Sequence, residues 1–142
     1  MKEKIENKIR FFLYNYFNTN ELIKEREKEL INITNISGNS WIKGRYCNLD
    51  TNSVENQAIR IIEYEKYIKR WHLLNRKVLI FLRRNYHIHY KFIKLKYIEK
   101  KTESEIEEIM KIDFKEQKII DGQVIRLIYK NAKLRNLNWN WR

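Results

Sequence analysis

The segment from Phe92 to Ile112 reads FIKLKYIEKKTESEIEEIMKI and contains the clearest structural signal in the chain. Thr102 is followed three residues later by Glu105, the spacing of a capping box, in which two side chains satisfy free backbone amides at a helix start. A second N-cap candidate, Asp113, follows at once and precedes an apolar run. The segment therefore predicts a short helix, a tight turn and a further helix, which is the order of a helix-turn-helix.

Apolar residues at three- and four-residue spacing predict helices on both sides of this turn. A bend near Asn85 is expected to start a helix that runs through Glu99. The short helix after Thr102 is expected to turn Ile106, Ile109 and Met110 inward. The helix after Asp113 carries a longer apolar set, made of Ile119, Ile120, Val124, Ile125, Leu127 and Ile128.

The rest of the chain also favours helices, since it has no proline and only three glycines. A first helix is predicted from Lys2 to Phe17, and a second is predicted to start at Thr19 or Asn20, giving an N-terminal helical hairpin. Periodicity fails from Thr34 to Asn52, and a long helix with one basic side is predicted from Val54 to about Arg84. The predicted fold class is all-α. The predicted domains are 1–52, with the hairpin and an irregular linker, and 53–142, with the long helix and the helix-turn-helix.

The net charge of +12 is concentrated in the middle of the chain. Residues 57–101 carry 13 basic and 3 acidic side chains, whereas residues 1–56 carry 9 and 8 and residues 102–142 carry 8 and 7. A segment of this kind favours a polyanionic partner, because each phosphate contact releases condensed counterions. The charge therefore favours a nucleic acid as the partner, and together with the helix-turn-helix pattern we expect double-stranded DNA.

The stretch KLKYIEKKTESEIEEIMKID resembles the helix-turn-helix in region 4 of bacterial sigma factors. Lys111 stands where that pattern has a turn glycine, and Asp113 stands where it has a serine cap. The layout of the whole chain also resembles the RinA and ArpU type of phage late-gene transcriptional regulators. The resemblance implies a transcription regulator, in particular an activator, of phage or mobile-element late genes, acting in the cytoplasm of a bacterial host.

The same resemblance places base-reading residues at the start of the last helix. Gln117 is expected to pair with adenine, while Lys115 and Lys118 are expected to reach guanine or phosphate. Gly122 lies within the same helix, and glycine in a helix interior lowers helix stability by about 1 kcal/mol relative to alanine. The expected phosphate contacts are basic residues before and within this region, namely Arg83, Arg84, Lys94, Lys96, Lys100, Lys101, Arg126, Lys130 and Lys133.

Two acidic residues of the last helix leave other functions open. Glu116 and Asp121 would repel phosphate. Either Glu116 accepts a hydrogen bond from cytosine, or the two face the protein's own helices, or they form the contact surface of a protein-interaction module. Such a module would dock on RNA polymerase or another regulator. A third interpretation is an oligomeric DNA-packaging adaptor, and a homo-oligomer is compatible with each of these functions.

Several kinds of site are not expected. No apolar run approaches the roughly 20 residues of a membrane span, and the lone Cys47 fits a reducing compartment. The three histidines, His72, His87 and His89, lack the spacing of a metal site, and no catalytic motif or cofactor-binding loop is recognisable. We therefore expect neither an enzyme nor a cofactor. Trp139 and Trp141 are expected either to stack on bases or a partner, or to fill a groove of the protein itself.

Overall fold

The computed structural model describes residues 3–39 and 47–135, and within these ranges the side chains of 3–29 and 55–135. Over these residues the chain forms six α-helices and no strand, which confirms the all-α prediction. A π-helical segment, Lys94–Ile98, continues the fourth helix. The helices are α1 (Glu3–Tyr14), α2 (Thr19–Asn39), α3 (Cys47–Asn85), α4 (His87–Ile93), α5 (Glu103–Met110) and α6 (Phe114–Leu134).

The helices extend further into the predicted irregular linker than the sequence pattern indicated. The linker prediction is wrong at both ends, because α2 continues to Asn39 and α3 begins at Cys47 instead of near Val54. Asparagine, serine and threonine lower helix propensity by only a few tenths of a kcal/mol each, and no proline interrupts the segment. The polar residues within 34–39 and 47–52 therefore weaken the apolar periodicity, but they remain compatible with the end of α2 and the start of α3.

The chain divides into two compact units, one made of residues 18–69 and the other of residues 1–17 and 70–142. We call the second of these the bundle unit. The predicted division after residue 52 stays a prediction. No helix of the described ranges is both long and apolar enough to span a bilayer.

The unit of residues 18–69 has a small apolar core and ion pairs on its helix surfaces. Among the side chains of this unit that the structure describes, the buried apolar ones are Ile23, Tyr67 and Ile68. Lys69 pairs with Glu65 at 2.6 Å within one helix. Such exposed pairs contribute at most about 1 kcal/mol each, so the unit depends mainly on its apolar contacts.

The core of the bundle unit is built around Trp71, which has no exposed surface. Its indole ring stacks on Phe12 of α1 with 4.9 Å between ring centroids. The inner face of α6 adds Val124, Ile125 and Ile128, each 1% exposed. Truncating a fully buried aromatic residue of this kind typically lowers the free energy of unfolding by about 3–5 kcal/mol. Trp71 therefore contributes strongly to the stability of this core, in which α1 and α6 also contact each other.

The turn between α5 and α6 follows the predicted capping pattern. The Thr102 hydroxyl accepts a hydrogen bond from the Glu105 amide, and the Glu105 carboxylate accepts one from the Thr102 amide, both at 3.2 Å. Asp113 caps α6 by accepting from the Glu116 amide at 2.9 Å. Lys111, at the end of α5, has φ 60° and lies in the left-handed region. Both predicted caps are confirmed, and Lys111 adopts the conformation that glycine usually supplies at this position.

Candidate nucleic-acid interface

All five basic residues of α6 lie on its outward face. Successive residues of a helix are about 100° apart, so the spacing of these five keeps them within one side of α6. All five are exposed, and they extend over about 27 Å of helix at 1.5 Å per residue. We call this set the basic stripe, and its members are Lys115, Lys118, Arg126, Lys130 and Lys133.

The two acidic residues of α6 have different positions. Glu116 is exposed beside the basic stripe, whereas Asp121 is 5% exposed and points into the bundle unit. Of the two positions that the sequence left open for these carboxylates, Asp121 faces the protein's own helices, so the two do not form one acidic contact surface. The charge that α6 presents outward is five cations against one anion.

Asp121 is held by three groups from other parts of the bundle unit. One carboxylate oxygen accepts a hydrogen bond from the Tyr97 hydroxyl at 2.5 Å. The other accepts from the Arg10 guanidinium at 3.0 Å, and the Lys96 ammonium lies 3.4 Å from the first oxygen. A buried carboxylate requires partners of this kind, because removing them would leave an uncompensated charge. The cluster joins α1, the π-helical segment and α6.

The protonation states in this cluster follow from burial and from the Asp121 charge. Burial and the neighbouring Asp121 carboxylate both raise the pKa of the Tyr97 hydroxyl, so Tyr97 remains a donor. Partial burial alone would lower the pKa of Arg10, but its hydrogen bond and charge interaction with Asp121 raise it overall. Arg10 therefore stays a cation committed to Asp121.

Gln117, the predicted adenine-reading residue, is part of the core. Its side chain is 4% exposed, and its amide donates to the carbonyl oxygens of Glu103 at 3.0 Å and Ile112 at 3.4 Å. These bonds tie the start of α5 to the start of α6. Because its side-chain amide faces inward, Gln117 is not available to pair with a base at the surface of α6.

Two apolar residues that the sequence pattern assigned to the core are largely exposed. Ile119 is 58% exposed and lies between Lys115 and Arg126 on the outward face of α6. Ile109 of α5 is 45% exposed, whereas Ile106 is fully buried as predicted. Period-based assignment is ambiguous where adjacent residues such as Ile119 and Ile120 are both apolar, because only one of them can face the core.

The remaining predicted phosphate contacts differ in availability. Lys96 is half-buried and committed to Asp121, and its ammonium also lies over the Tyr97 ring at 5.2 Å. Lys101 is half-buried and lies 3.9 Å from Glu105. The others are exposed, namely Arg83 and Arg84 at the end of α3, Lys94 in the π-helical segment, and Lys100 before α5.

A cleft of about 290 Å³ opens beside the basic stripe, between α1, the π-helical segment and α6. It brings together four predicted site residues, Lys96, Gln117, Lys118 and Arg126, with Arg10 from α1. The participation of α1 could not be seen in the sequence, because Arg10 and Asp121 are 111 positions apart. The other lining residues are Glu6, Phe92, Glu103, Phe114, Asp121, Gly122 and Ile125.

A second concave surface, the apolar groove, has a different character. It has a volume of about 460 Å³ and is lined by Phe81, Leu82, Tyr86, His89, Gln123, Val124 and Leu127. Phe81 and Tyr86 are 44% and 52% exposed, and Nε2 of His89 lies 2.6 Å from the side-chain oxygen Oε1 of Gln123. Among the described residues, no group of three or more histidine, cysteine or acidic side chains is arranged to hold a metal ion. Trp139 and Trp141 lie outside the described residues.

Comparisons of the chain with protein-family models, with curated proteins and with solved structures find no match.

Proposed function

We propose that this protein binds double-stranded DNA through the basic stripe of α6 and regulates transcription. The observation that carries the proposal is the charge on the outward face of α6, with five exposed cations and only Glu116 as an acid. Lysine and arginine in a row along one helix are suited to contacting the phosphates on either side of a groove. Asp121 does not oppose this interaction, because its charge is compensated inside the bundle unit.

The arrangement of α5 and α6 supports a helix-turn-helix role. α6 starts at a capped N-terminus, and its first turns carry exposed Lys115, Lys118 and Ile119. An α-helix is about 10–12 Å across and the major groove is about 12 Å wide, so the first turns of α6 would meet base edges. Lys115 would then contact guanine or phosphate, and Ile119 would meet the methyl group of thymine.

The wider biological role rests on the resemblance to phage late-gene regulators. Within that role the chain would activate late genes in the cytoplasm of the bacterial host. Arg83, Arg84, Lys94 and Lys100 would add phosphate contacts, since their side chains are exposed. Lys96 and Lys101 contribute less to this proposal, because each already lies near a carboxylate.

The proposal is tested by the salt dependence of duplex binding. We expect Lys115→Gln and Lys130→Gln each to weaken binding and to reduce the slope of log K against log salt concentration by about 0.9, the value for one lost phosphate contact. Fluorescence anisotropy of a labelled duplex measures both quantities over a range of salt concentrations.

Lys24→Gln is the matched control, because Lys24 is an exposed lysine on α2 and its substitution makes the same change in net charge. It should leave the slope at the wild-type value. Equal effects of the three substitutions would mean that overall charge alone governs binding and that α6 is not the interface. Absence of wild-type binding to any duplex would reject the proposal altogether.

A second function, contact with another protein, is favoured by the apolar groove. Exposed aromatic side chains such as Phe81 and Tyr86 are typical of surfaces that bind proteins. Within the proposed role the partner would be RNA polymerase. Tyr86→Ser should then weaken binding to purified host RNA polymerase and leave duplex binding unchanged, whereas unchanged polymerase binding would reject this second function.

A further inference from the structure

Gly122 lowers the stability of α6, and no contact within the described part of the protein explains why a glycine stands there. It lies in the middle of this 21-residue helix, where glycine is about 1 kcal/mol less favourable than alanine. A Cβ atom added at Gly122 would meet no other atom of the described structure within 4 Å. Its φ is also not positive, so the backbone conformation does not require glycine. Neither packing nor conformation explains the missing side chain.

The side chains around Gly122 indicate which kind of ligand suits the space beside it. Lys118 and Arg126 lie four residues before and four residues after Gly122, so one cation stands a helical turn away on each side. Within the described part of the chain, neither Lys118 nor Arg126 forms an ion pair. Both line the cleft together with Gly122, and their charges are available to a ligand there.

On the wall of the cleft opposite Lys118 and Arg126, the basic side chains already have acidic partners. Arg10 and Lys96 lie there, but both are bound to Asp121, and Glu6 is 3.4 Å from Arg10. An incoming anion would therefore be drawn toward the α6 side. The cleft volume of about 290 Å³ lies just below the range for sites that enclose a whole small molecule, roughly 300–1,000 Å³. A group that is part of a larger ligand fits such an open cleft better.

We propose that Gly122 is the point at which the sugar-phosphate backbone of DNA approaches α6, with one phosphate held between Lys118 and Arg126. Glycine is the residue that lets another molecule come closest to a protein backbone, because it has no Cβ. Lysine and arginine are the side chains that bind phosphate oxygens most strongly. This inference rests on the proposed DNA binding and deepens it, because it gives Lys118 a phosphate contact and gives the helix glycine a function.

The test exploits opposite effects on stability and on binding. Gly122→Ala should raise the melting temperature by about 2–6 °C, since alanine favours the helix and its methyl group meets no protein atom. The same methyl group occupies the path of the DNA backbone, so duplex affinity should fall by about tenfold at fixed salt, the order expected for a weakened charged contact. Gly122→Leu should lower affinity further. Thermal unfolding and anisotropy titration of the full chain give the two readouts.

Asn7→Ala provides the matched control. Asn7 is exposed in the middle of α1 and does not line the cleft, and its substitution also raises helix propensity in the bundle unit. We expect it to raise the melting temperature and to leave duplex affinity unchanged. A loss of affinity in both variants would attribute the effect to stabilisation of the helices and would overturn the inference.

Four further outcomes are decisive. Wild-type affinity in Gly122→Ala would overturn the phosphate contact while leaving the DNA-binding proposal intact, and a lowered melting temperature would show that glycine is needed for folding. Absence of binding by the wild type would overturn both proposals. The effect of Gly122→Ala should also shrink when Lys118→Gln is already present, because the two changes act on the same phosphate; full additivity would contradict a shared contact.

Discussion

At the scale of single residues, Lys111 has a backbone conformation that lowers stability, and a substitution can remove this effect. Its φ of 60° places a residue with a Cβ in the left-handed region, which costs roughly 1–2 kcal/mol for most side chains. The sequence already indicated a turn here, because this segment resembles the helix-turn-helix of sigma factors and Lys111 stands where that pattern has glycine. The structure adds the conformation that makes glycine favourable.

We expect Lys111→Gly to increase the free energy of unfolding by about 1 kcal/mol, since glycine adopts positive φ without steric cost. Urea denaturation followed by circular dichroism measures the change. Lys91→Gly is the matched control, because Lys91 is an exposed residue within α4 and its substitution should lower stability by about 1 kcal/mol. Loss of stability in both variants would contradict the left-handed conformation of Lys111.

Gln117 and Asp121 show which single-residue roles the sequence could not predict. Gln117 was expected at the surface as a base-reading residue, whereas the sequence left open whether Asp121 faces the protein's own helices or a partner. Their burial depends on partners distant in the chain, since Gln117 bonds to Glu103 and Asp121 to Arg10. Local pattern carries no information about such pairs, because they form only when α1, α5 and α6 pack together.

At the scale of helices, the starts of α5 and α6 are the features that the sequence predicted best. The capping box of Thr102 and Glu105 and the cap at Asp113 are local hydrogen bonds within three residues, so spacing alone specifies them. The π-helical segment Lys94–Ile98 and the early start of α3 at Cys47 were not predicted. Neither has a distinctive residue pattern.

The capping box makes the stability of the protein depend on pH. Hydrogen bonds from Thr102 lower the pKa of Glu105 below its ordinary value. Because the folded-state pKa is lowered, this stabilisation is present above the ordinary pKa of a glutamate and is lost as the pH falls through the folded-state value.

We expect Glu105→Gln to make stability less dependent on pH in the acidic range, since glutamine keeps the capping box but does not titrate. Urea unfolding at a series of pH values between neutral and about 3 measures the dependence. Glu108→Gln removes the same charge from an exposed position of α5 without touching the cap, and it is the matched control. If Glu105→Gln follows the wild-type pH profile in full, the carboxylate of Glu105 does not bind the Thr102 amide.

At the scale of the whole molecule, the distribution of charge is clearer in three dimensions than along the chain. The sequence places most of the net charge in residues 57–101 and leaves residues 102–142 nearly balanced. Burial changes that balance on α6, because Asp121 is compensated inside the bundle unit while Lys115, Arg126 and Lys130 remain outside. The exposed face of α6 is therefore more basic than its composition suggests, which is why we place the DNA contact there.

The central claim is that the outward face of α6 contacts DNA, and amide chemical shifts of the full 142-residue chain test it most directly. A duplex of arbitrary sequence is sufficient, because non-specific binding uses the same phosphate contacts. We predict that addition of duplex at about 50 mM salt perturbs the amides of residues 115–133, leaves those around Lys24 on α2 unchanged, and is reversed at about 200 mM salt. Perturbations confined to the residues around Tyr86 between α3 and α4, or absent from α6, would contradict the claim.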